Sequence, residues 1–474
     1  MNDGYASLWS LDDFLTATQG RPIGDMPQTI DGISIDTRTL EPGDAFFAIK
    51  GDQFDGHAFI TNAAGRRAAL AVVGEDKLAS LGSVSLPLVI VHDVLEAMEK
   101  LATAARKRSK AKIIAITGSV GKTSTKEMLR TLLESCGSVH ASIASYNNHW
   151  GVPLTLSRLR ADAEYGIFEI GMNHPGEIVP LVKMVRPHVA VVTTIAEAHL
   201  GFFKNVNEIA KAKGEIFTGM AKGGVALINR DIKQHNLLSK LAKEAGVKKI
   251  ENFGEKRGAS YLLKELTANA EGSHLLLQVG REKLEIQLGV AGKHMAINLT
   301  AAVGAALLAG GKRETIVASV DKIGAVKGRG KIHVFGEGRK SITLIDESYN
   351  ANPASMAASM QVLGMHVPKS KGRRVAVLGD MLELGKSSEK LHKGLVKSIR
   401  ESNIDRVWLV GEEIHALVDE LDGEVLVGHF NSIETIEKPF LKNLTPGDVI
   451  MIKASLGIKS GKLVAAVTKH LADR

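Results

Sequence analysis

A short apolar run, KIIAIT at 112–117, leads into GSVGKTST and then into the helical stretch TSTKEMLRTLLESCG. Strand, glycine-rich turn and helix in that order constrain the fold more than anything else in the chain, because such a unit nucleates an open α/β sheet. Gly118 and Gly121 let backbone N–H groups approach phosphate oxygens, while Lys122 adds a point charge and Thr123 a hydroxyl for Mg²⁺. The general phosphate loop has a glycine five positions before Gly121, where this chain has Ile116, so the loop is a shortened variant. Alone it predicts ATP binding through Gly118, Ser119, Val120, Gly121, Lys122, Thr123 and Ser124, and no particular reaction.

The pattern repeats on both sides. YGIFEI (165–170), VAVVTTI (189–195) and GVALIN (224–229) alternate with helical stretches, as in a mostly parallel, doubly wound sheet. Residues 258–290 read as an antiparallel excursion, and MAINLTAAVGAALLAG (295–310) as the helix that closes this central block. AVKGRGKI (325–332) reads as a hinge or linker. Beyond it TLIDE, RRVAVLG, RVWLVG and DVIMIKAS are strands, separated by helices such as NPASMAASMQVL and LHKGLVKSIRE. Ahead of the phosphate loop, ISID, DAFFAIKG, AALAVVG and LPLVIV with a helix near 95–108 predict a small α/β domain. A length of 474 residues, at about 150 per domain, agrees with three domains. We place them at 1–110, 111–326 and 327–474, all α/β, with the last Rossmann-like.

Hydrophobic residues make up 44% and charged residues 24%, which argues against extensive disorder. A net charge of +8 suits an anionic substrate, but no basic stripe with interleaved aromatics marks a nucleic-acid groove. The run RKRSKAK (106–112) reads as a solvated linker. One cysteine, Cys136, leaves no internal disulfide and no Cys-rich metal site, so a reducing, cytoplasmic setting is expected. The amino terminus lacks the pattern of a secretory signal, and no apolar run is long enough to span a membrane.

Two further residues draw attention by position. Glu169 ends YGIFEI, at the sheet edge where ligands of open α/β folds collect, and is suited to Mg²⁺. His199 follows the next strand and reaches toward the same crevice. For each the plain alternative is a solvated loop residue, and Lys213 on its helix reads as an exposed charge.

The strings IDTRTLEPGDAFFAIKGDQFDGHAFI (35–60), ITGSVGKTSTKEML (116–129), YNNHWGVPLTL (146–156), EIGMNHPGEI (169–178), AHLGFF (198–203), AKGEIF (212–217), DESYNANPASM (346–356) and VLGDMLELG (377–385) together resemble the Mur ligases. These are the ATP-dependent amide-forming enzymes of peptidoglycan precursor synthesis, which serves cell-wall biogenesis, cell shape and division. The resemblance implies addition of D-alanyl-D-alanine to UDP-N-acetylmuramoyl-tripeptide, with ATP and Mg²⁺ required and a monomer expected. It implies that Asp36, Thr37, Arg38, Lys50, Gly51, Asp55, Gly56 and His57 occupy the UDP-substrate motifs. Lys122 would contact ATP phosphates, Thr123 and Glu169 hold one Mg²⁺, and His199 help hold a second. Lys213 matches the lysine that reacts with CO₂, giving a carbamate ligand for the cation. Asn298 would bind adenine, while Arg329, Asp346, Tyr349 and Asn350 close over the nucleotide. Gly201 and Phe202 depart from the usual Glu-Gly pair, and Leu456 stands where a Lys-Gly-Ser-Arg string is common. A sister ligase adding the third peptide residue usually carries an Asp-Asn-Pro-Arg string, where this chain reads GDMLELG. A folylpolyglutamate synthase would lack the DTR and FDGH motifs. A non-catalytic nucleotide-binding protein is disfavoured by Lys122, Thr123, Glu169, His199 and Lys213 standing together.

Overall fold

Three sheets carry the chain in succession. The computed structural model describes residues 7–51, 53–143, 146–198 and 200–473. The first sheet has five strands in the order Arg21–Ile23, Leu88–Val91, Leu70–Gly74, Asp44–Phe47, Gly32–Ser34, all parallel except the first pair. A two-stranded ladder, Trp9–Ser10 with Thr29–Ile30, lies beside it. The central sheet has nine strands, and the last has six.

In the central sheet Lys112–Thr117 lies between Tyr165–Glu169 and Val189–Val192, all parallel. These strands are apolar and buried along their length, as a sheet covered on both faces requires. Register places Glu169 beside Ile116 and Val192 beside Thr117, so three carboxyl ends meet at one edge. The predicted antiparallel excursion forms as strands Tyr261–Asn269, Gly272–Val279 and Glu282–Leu288.

Helix Lys122–Glu134 buries Met128, Leu129, Leu132 and Leu133 against helix Lys293–Leu308 and the sheet. The latter helix is small and apolar on nearly every side, as a helix enclosed in a core must be. Gly304 is needed there because a Cβ would lie 2.9 Å from the Tyr261 ring. This helix does not close the block: Arg313–Ala318 follows, and Ile316, Val320 and Ile323 join the same core.

The run RKRSKAK is not a solvated linker. Helix Val94–Arg108 continues through Arg106, which is buried and whose guanidinium donates to Val185 O at 2.8 Å and Arg186 O at 3.0 Å. Arg108 stacks on Trp9 at 3.4 Å and donates to Leu8 O at 2.8 Å. The charges therefore cap carbonyls at the junction of the first two sheets, and their long stems bury apolar area. Helix LHKGLVKSIRE breaks at Gly394 into Ser388–Lys393 and Leu395–Glu401.

In the third sheet the order is Lys331–Phe335, Ile342–Glu347, Val449–Lys453, Arg374–Gly379, Arg406–Val410, Leu426–Phe430, parallel apart from the first strand. Residues 325–332 lead into its edge strand, with Gly328 (φ 74°) and Gly330 (φ 86°) in the left-handed region. Among the described residues no helix is long and apolar enough to cross a membrane.

Candidate active site

The phosphate loop is clamped from the neighbouring strand end. Ser119 N donates to Thr194 O at 2.7 Å, and the Thr193 hydroxyl donates to Val120 O at 2.6 Å. A Cβ on Gly118 would collide with that hydroxyl, and one on Gly121 (φ 88°) with Asn298. Both glycines are thus required by close approach as well as by conformation. The loop opens helix Lys122–Glu134, whose first N–H groups point to where an anion would sit. Lys122 Nζ donates to Gly118 O at 2.8 Å. Burial pulls its ammonium below the usual lysine range, Glu169 opposes that shift, and Arg329 adds to it.

Glu169 is 1% exposed. Its two carboxylate oxygens accept from Thr123 Oγ1 at 2.8 Å and Asn147 Nδ2 at 2.7 Å. Its backbone N donates to Ser142 Oγ at 3.3 Å. Lys213 comes from helix Val206–Gly214 and is 0% exposed, and its Nζ has no hydrogen-bond partner among the described residues. Burial, reinforced by Lys122, pulls Lys213 well below the lysine range. That environment favours a neutral amine, which is the form that reacts with CO₂, and an orphaned buried nitrogen is a donor awaiting a partner. Thr123 and Glu169 offer hydroxyl and carboxylate oxygens of the kind a hard divalent cation takes, and a carbamate on Lys213 would be a further oxygen ligand. His199 lies outside the described residues, and no group of three His, Cys, Asp or Glu side chains suited to a metal occurs among those described.

A cavity of about 660 Å³ runs from this corner to the third sheet. The phosphate loop, Glu169 and Asn298 line one side, and Arg329, Tyr349 and Asn350 the other. Arg329 stacks over Tyr349 at 4.4 Å. Asp346 is 2% exposed, and its oxygens accept from Gly328 N at 3.0 Å and from Ser348 N and Oγ at 3.1 and 2.6 Å. In this arrangement Asp346 anchors the hinge to the strand end beside the cavity. Asn350 Oδ1 accepts from Ala351 N at 2.9 Å.

Several cavity residues escaped the sequence reading. Asn147 sits inside the YNNHW string, yet nothing in its spacing shows that it holds Glu169. Glu347 and Lys453 pair at 3.2 Å across adjacent strand ends, and Lys453 also donates to Asn350 O at 3.0 Å. Both close strands that were legible, but register alone brings them opposite each other. Glu215 accepts from Gly176 N at 2.8 Å, tying the Lys213 helix to the loop after Glu169.

The first-sheet residues form a separate cluster. Arg38 chelates Asp36, with Nε to Oδ1 at 2.9 Å and a second guanidinium nitrogen to Oδ2 at 2.6 Å, and Thr37 lies between them. Lys50 bridges Asp55 through the backbone. Gly51 abuts Trp150, where a Cβ would lie 2.9 Å from the indole, and a Cβ on Gly56 would lie 2.7 Å from Ile49 O. Gly74 N donates to His57 Nε2 at 3.0 Å, so the proton is on Nδ1 and is donated to Asp55 at 2.6 Å. Partial burial pushes the Asp55 carboxyl up, but hydrogen bonds from the His57 ring and backbone and from Lys77 outweigh it and bring it to about 2.

The chain matches the Mur ligase middle domain over residues 116–306, the Mur ligase glutamate ligase domain over 328–456, and the Mur ligase family catalytic domain over 29–107. It is 34% identical over 432 residues to the UDP-N-acetylmuramoyl-tripeptide–D-alanyl-D-alanine ligase of Rickettsia prowazekii, covering 91% of this chain and 94% of that protein. It is 36% identical over 390 residues to the Escherichia coli K12 protein of the same name, covering 82% and 83%. A crystal structure of MurF from Acinetobacter baumannii superposes with a TM-score of 0.83 at 32% identity, covering 97% of this chain and 99% of that one.

Proposed function

We propose that this chain, which belongs to the Mur ligase family, joins D-alanyl-D-alanine to UDP-N-acetylmuramoyl-tripeptide at the expense of ATP. The observation that carries the chemistry is the meeting of the phosphate loop and Glu169 with Arg329 and Tyr349 around one cavity. The names of its relatives carry the substrates.

In the reaction, an oxygen of the tripeptide's terminal carboxylate attacks the γ-phosphorus of ATP, and ADP leaves. The acyl phosphate that forms is then attacked by the dipeptide amine, which loses a proton. Phosphate departs with the oxygen that came from the carboxylate, and an amide remains. A carboxylate alone acylates poorly because oxide is a poor leaving group. No enzyme nucleophile is needed, so the protein's work is positioning and charge neutralisation. The loop N–H groups and Lys122 cradle the phosphates. Thr123, Glu169, a carbamylated Lys213 and His199 would hold Mg²⁺, which when bound offsets charge between phosphate oxygens.

Asn298 lies against Gly121, at the wall assigned to adenine. The Tyr349 face, with Arg329 stacked on it, lies opposite. The Asp346 carboxylate already accepts from Gly328 and Ser348, and its Oδ2 keeps a further lone pair that a ribose hydroxyl could use. The domain of residues 1–110 is assigned to the UDP moiety, with Arg38 as its phosphate contact once released from Asp36. Residues 111–326 would bind ATP, and 327–474 would close the site. A cytoplasmic setting fits a lone, half-buried cysteine.

The test is phosphate release with ATP, tripeptide substrate and dipeptide, omitting each in turn. Release should require all three together. Release that ignores the dipeptide, or none from folded protein, would overturn the reading.

A further inference from the structure

A buried lysine outside the nucleotide motif closes a ring around the corner where Thr123 meets Glu169. Lys126 lies three residues along the helix from Thr123, so the two side chains share a face. It is 0% exposed; its Nζ donates to Ser142 O at 2.6 Å and pairs with Glu127 at 2.8 Å. Ser142 N donates to Ile167 O at 3.2 Å, two residues before Glu169 on the same strand. Ser142 Oγ accepts from Glu169 N at 3.3 Å, and Glu169 Oε2 accepts from Thr123 Oγ1 at 2.8 Å. The path returns to the helix it left.

Packing does not explain this ammonium. Met128 and Leu129 fill the adjoining core with apolar volume, whereas a buried cation carries a desolvation penalty that an aliphatic side chain avoids. The charge adds directed bonds, among them those to the Ser142 carbonyl and the Glu127 carboxylate, that a Met or Leu side chain would not make. We propose that Lys126 is a positioning residue for the cation-binding corner. Its ammonium fixes Ser142, and through Ser142 the strand end bearing Glu169, at the separation from Thr123 that a shared divalent cation requires. Asn147 Nδ2 donates to the other Glu169 oxygen at 2.7 Å, so Glu169 is held at both oxygens as well as at its backbone N.

The inference rests on the reading of Thr123 and Glu169 as cation ligands. Mn²⁺ binding to the full-length enzyme with ADP, followed by electron paramagnetic resonance, tests it alongside ADP affinity without metal. Lys126→Met should weaken Mn²⁺ by about 10- to 100-fold, the usual effect of losing an outer-shell partner, and leave metal-free ADP affinity unchanged. Equal Mn²⁺ affinity in the folded variant would overturn the proposal, as would parallel losses of Mn²⁺ and ADP, which would mark a packing role. Should Lys126→Met fail to fold, Ser142→Ala tests the link from Ser142 Oγ to Glu169 N through which the lysine acts: weaker Mn²⁺ with unchanged metal-free ADP affinity sustains the proposal, and unchanged Mn²⁺ ends it. If the unaltered enzyme bound no Mn²⁺ with ADP, the ligand assignment itself would fall and the proposal with it. Wild-type binding matched by the variant removes the proposal alone.

Discussion

Burial sets Lys213 apart from an ordinary helical lysine. Among the described residues its Nζ has no hydrogen-bond partner, and burial beside the Lys122 charge pulls its amine well below the usual lysine range, the direction that favours the neutral form. Lys213→Ala should lower ligase turnover by about 100-fold or more, as loss of a principal charge-stabilising group does. Removing dissolved CO₂ should slow the unaltered enzyme and not the variant, as read by phosphate release. Normal turnover of Lys213→Ala across CO₂ levels would contradict the carbamate. Nothing in the local sequence distinguishes this lysine from an exposed helical one. Its burial comes from the packing of helix Val206–Gly214 against helix His235–Glu244 and the turn Glu215–Gly219, which is why only family resemblance drew attention to it. Glu169 was legible from its strand-end position, whereas Ser142 and Asn147, which hold it, were not, because they reach it from a separate loop. Asp55 gives a prediction of a different kind. Its carboxyl drops from an ordinary value of 3.8 to about 2 in the fold. It therefore adds stability that is present above pH 3.8 and is lost as pH falls through about 2. The difference in unfolding midpoint between the unaltered chain and Asp55→Asn should shrink over that window. A constant difference would mean that the His57 pair is not its cause.

At the level of elements, the phosphate loop is where local sequence and tertiary structure agree most closely. Strand, turn and helix form where the periodicity places them, because glycine supplies the left-handed φ at Gly121 and the apolar strand has both faces covered. Gly121→Ala would meet a strained φ and the Asn298 side chain at once. It should cost about 1–3 kcal/mol in stability, and weaken ADP far more than a comparable change at solvent-facing Gly246, read by calorimetry. Equal ADP affinity would contradict the close-approach argument. The basic run at 106–112 was misread for a physical reason: composition says solvent, but carbonyls at the end of helix Ile178–Val185 and the Trp9 ring offer the guanidinium groups better partners. Arg106→Ala should destabilise the junction by about 3 kcal/mol, the scale of two bonds from a charged donor, seen as a lower first unfolding transition. An unchanged transition would return the segment to the status of a linker.

Across the whole molecule, the cavity lined by the phosphate loop lies between the second and third sheets, and the first sheet carries separate charged pairs. The three-block order was legible because hydrophobic period and glycine punctuation are local. The pairing of Glu347 with Lys453 and the docking of Gly201 N on Glu383 O at 2.9 Å were not, since register and domain contact are not written in any one segment. The hinge at Gly328 and Gly330 joins the two walls of the cavity, so closure is expected when nucleotide and UDP substrate bind together. X-ray scattering should then show a smaller radius of gyration than for the free enzyme, and an identical profile would contradict rigid-body closure. The central claim, transfer of phosphate to the tripeptide carboxylate before the amide forms, is tested most directly by isotope. With ¹⁸O in both oxygens of that terminal carboxylate, each turnover with ATP and D-alanyl-D-alanine should leave one label in the amide and deliver one to inorganic phosphate, as read by mass spectrometry. Amide formation accompanied by unlabelled phosphate would contradict it.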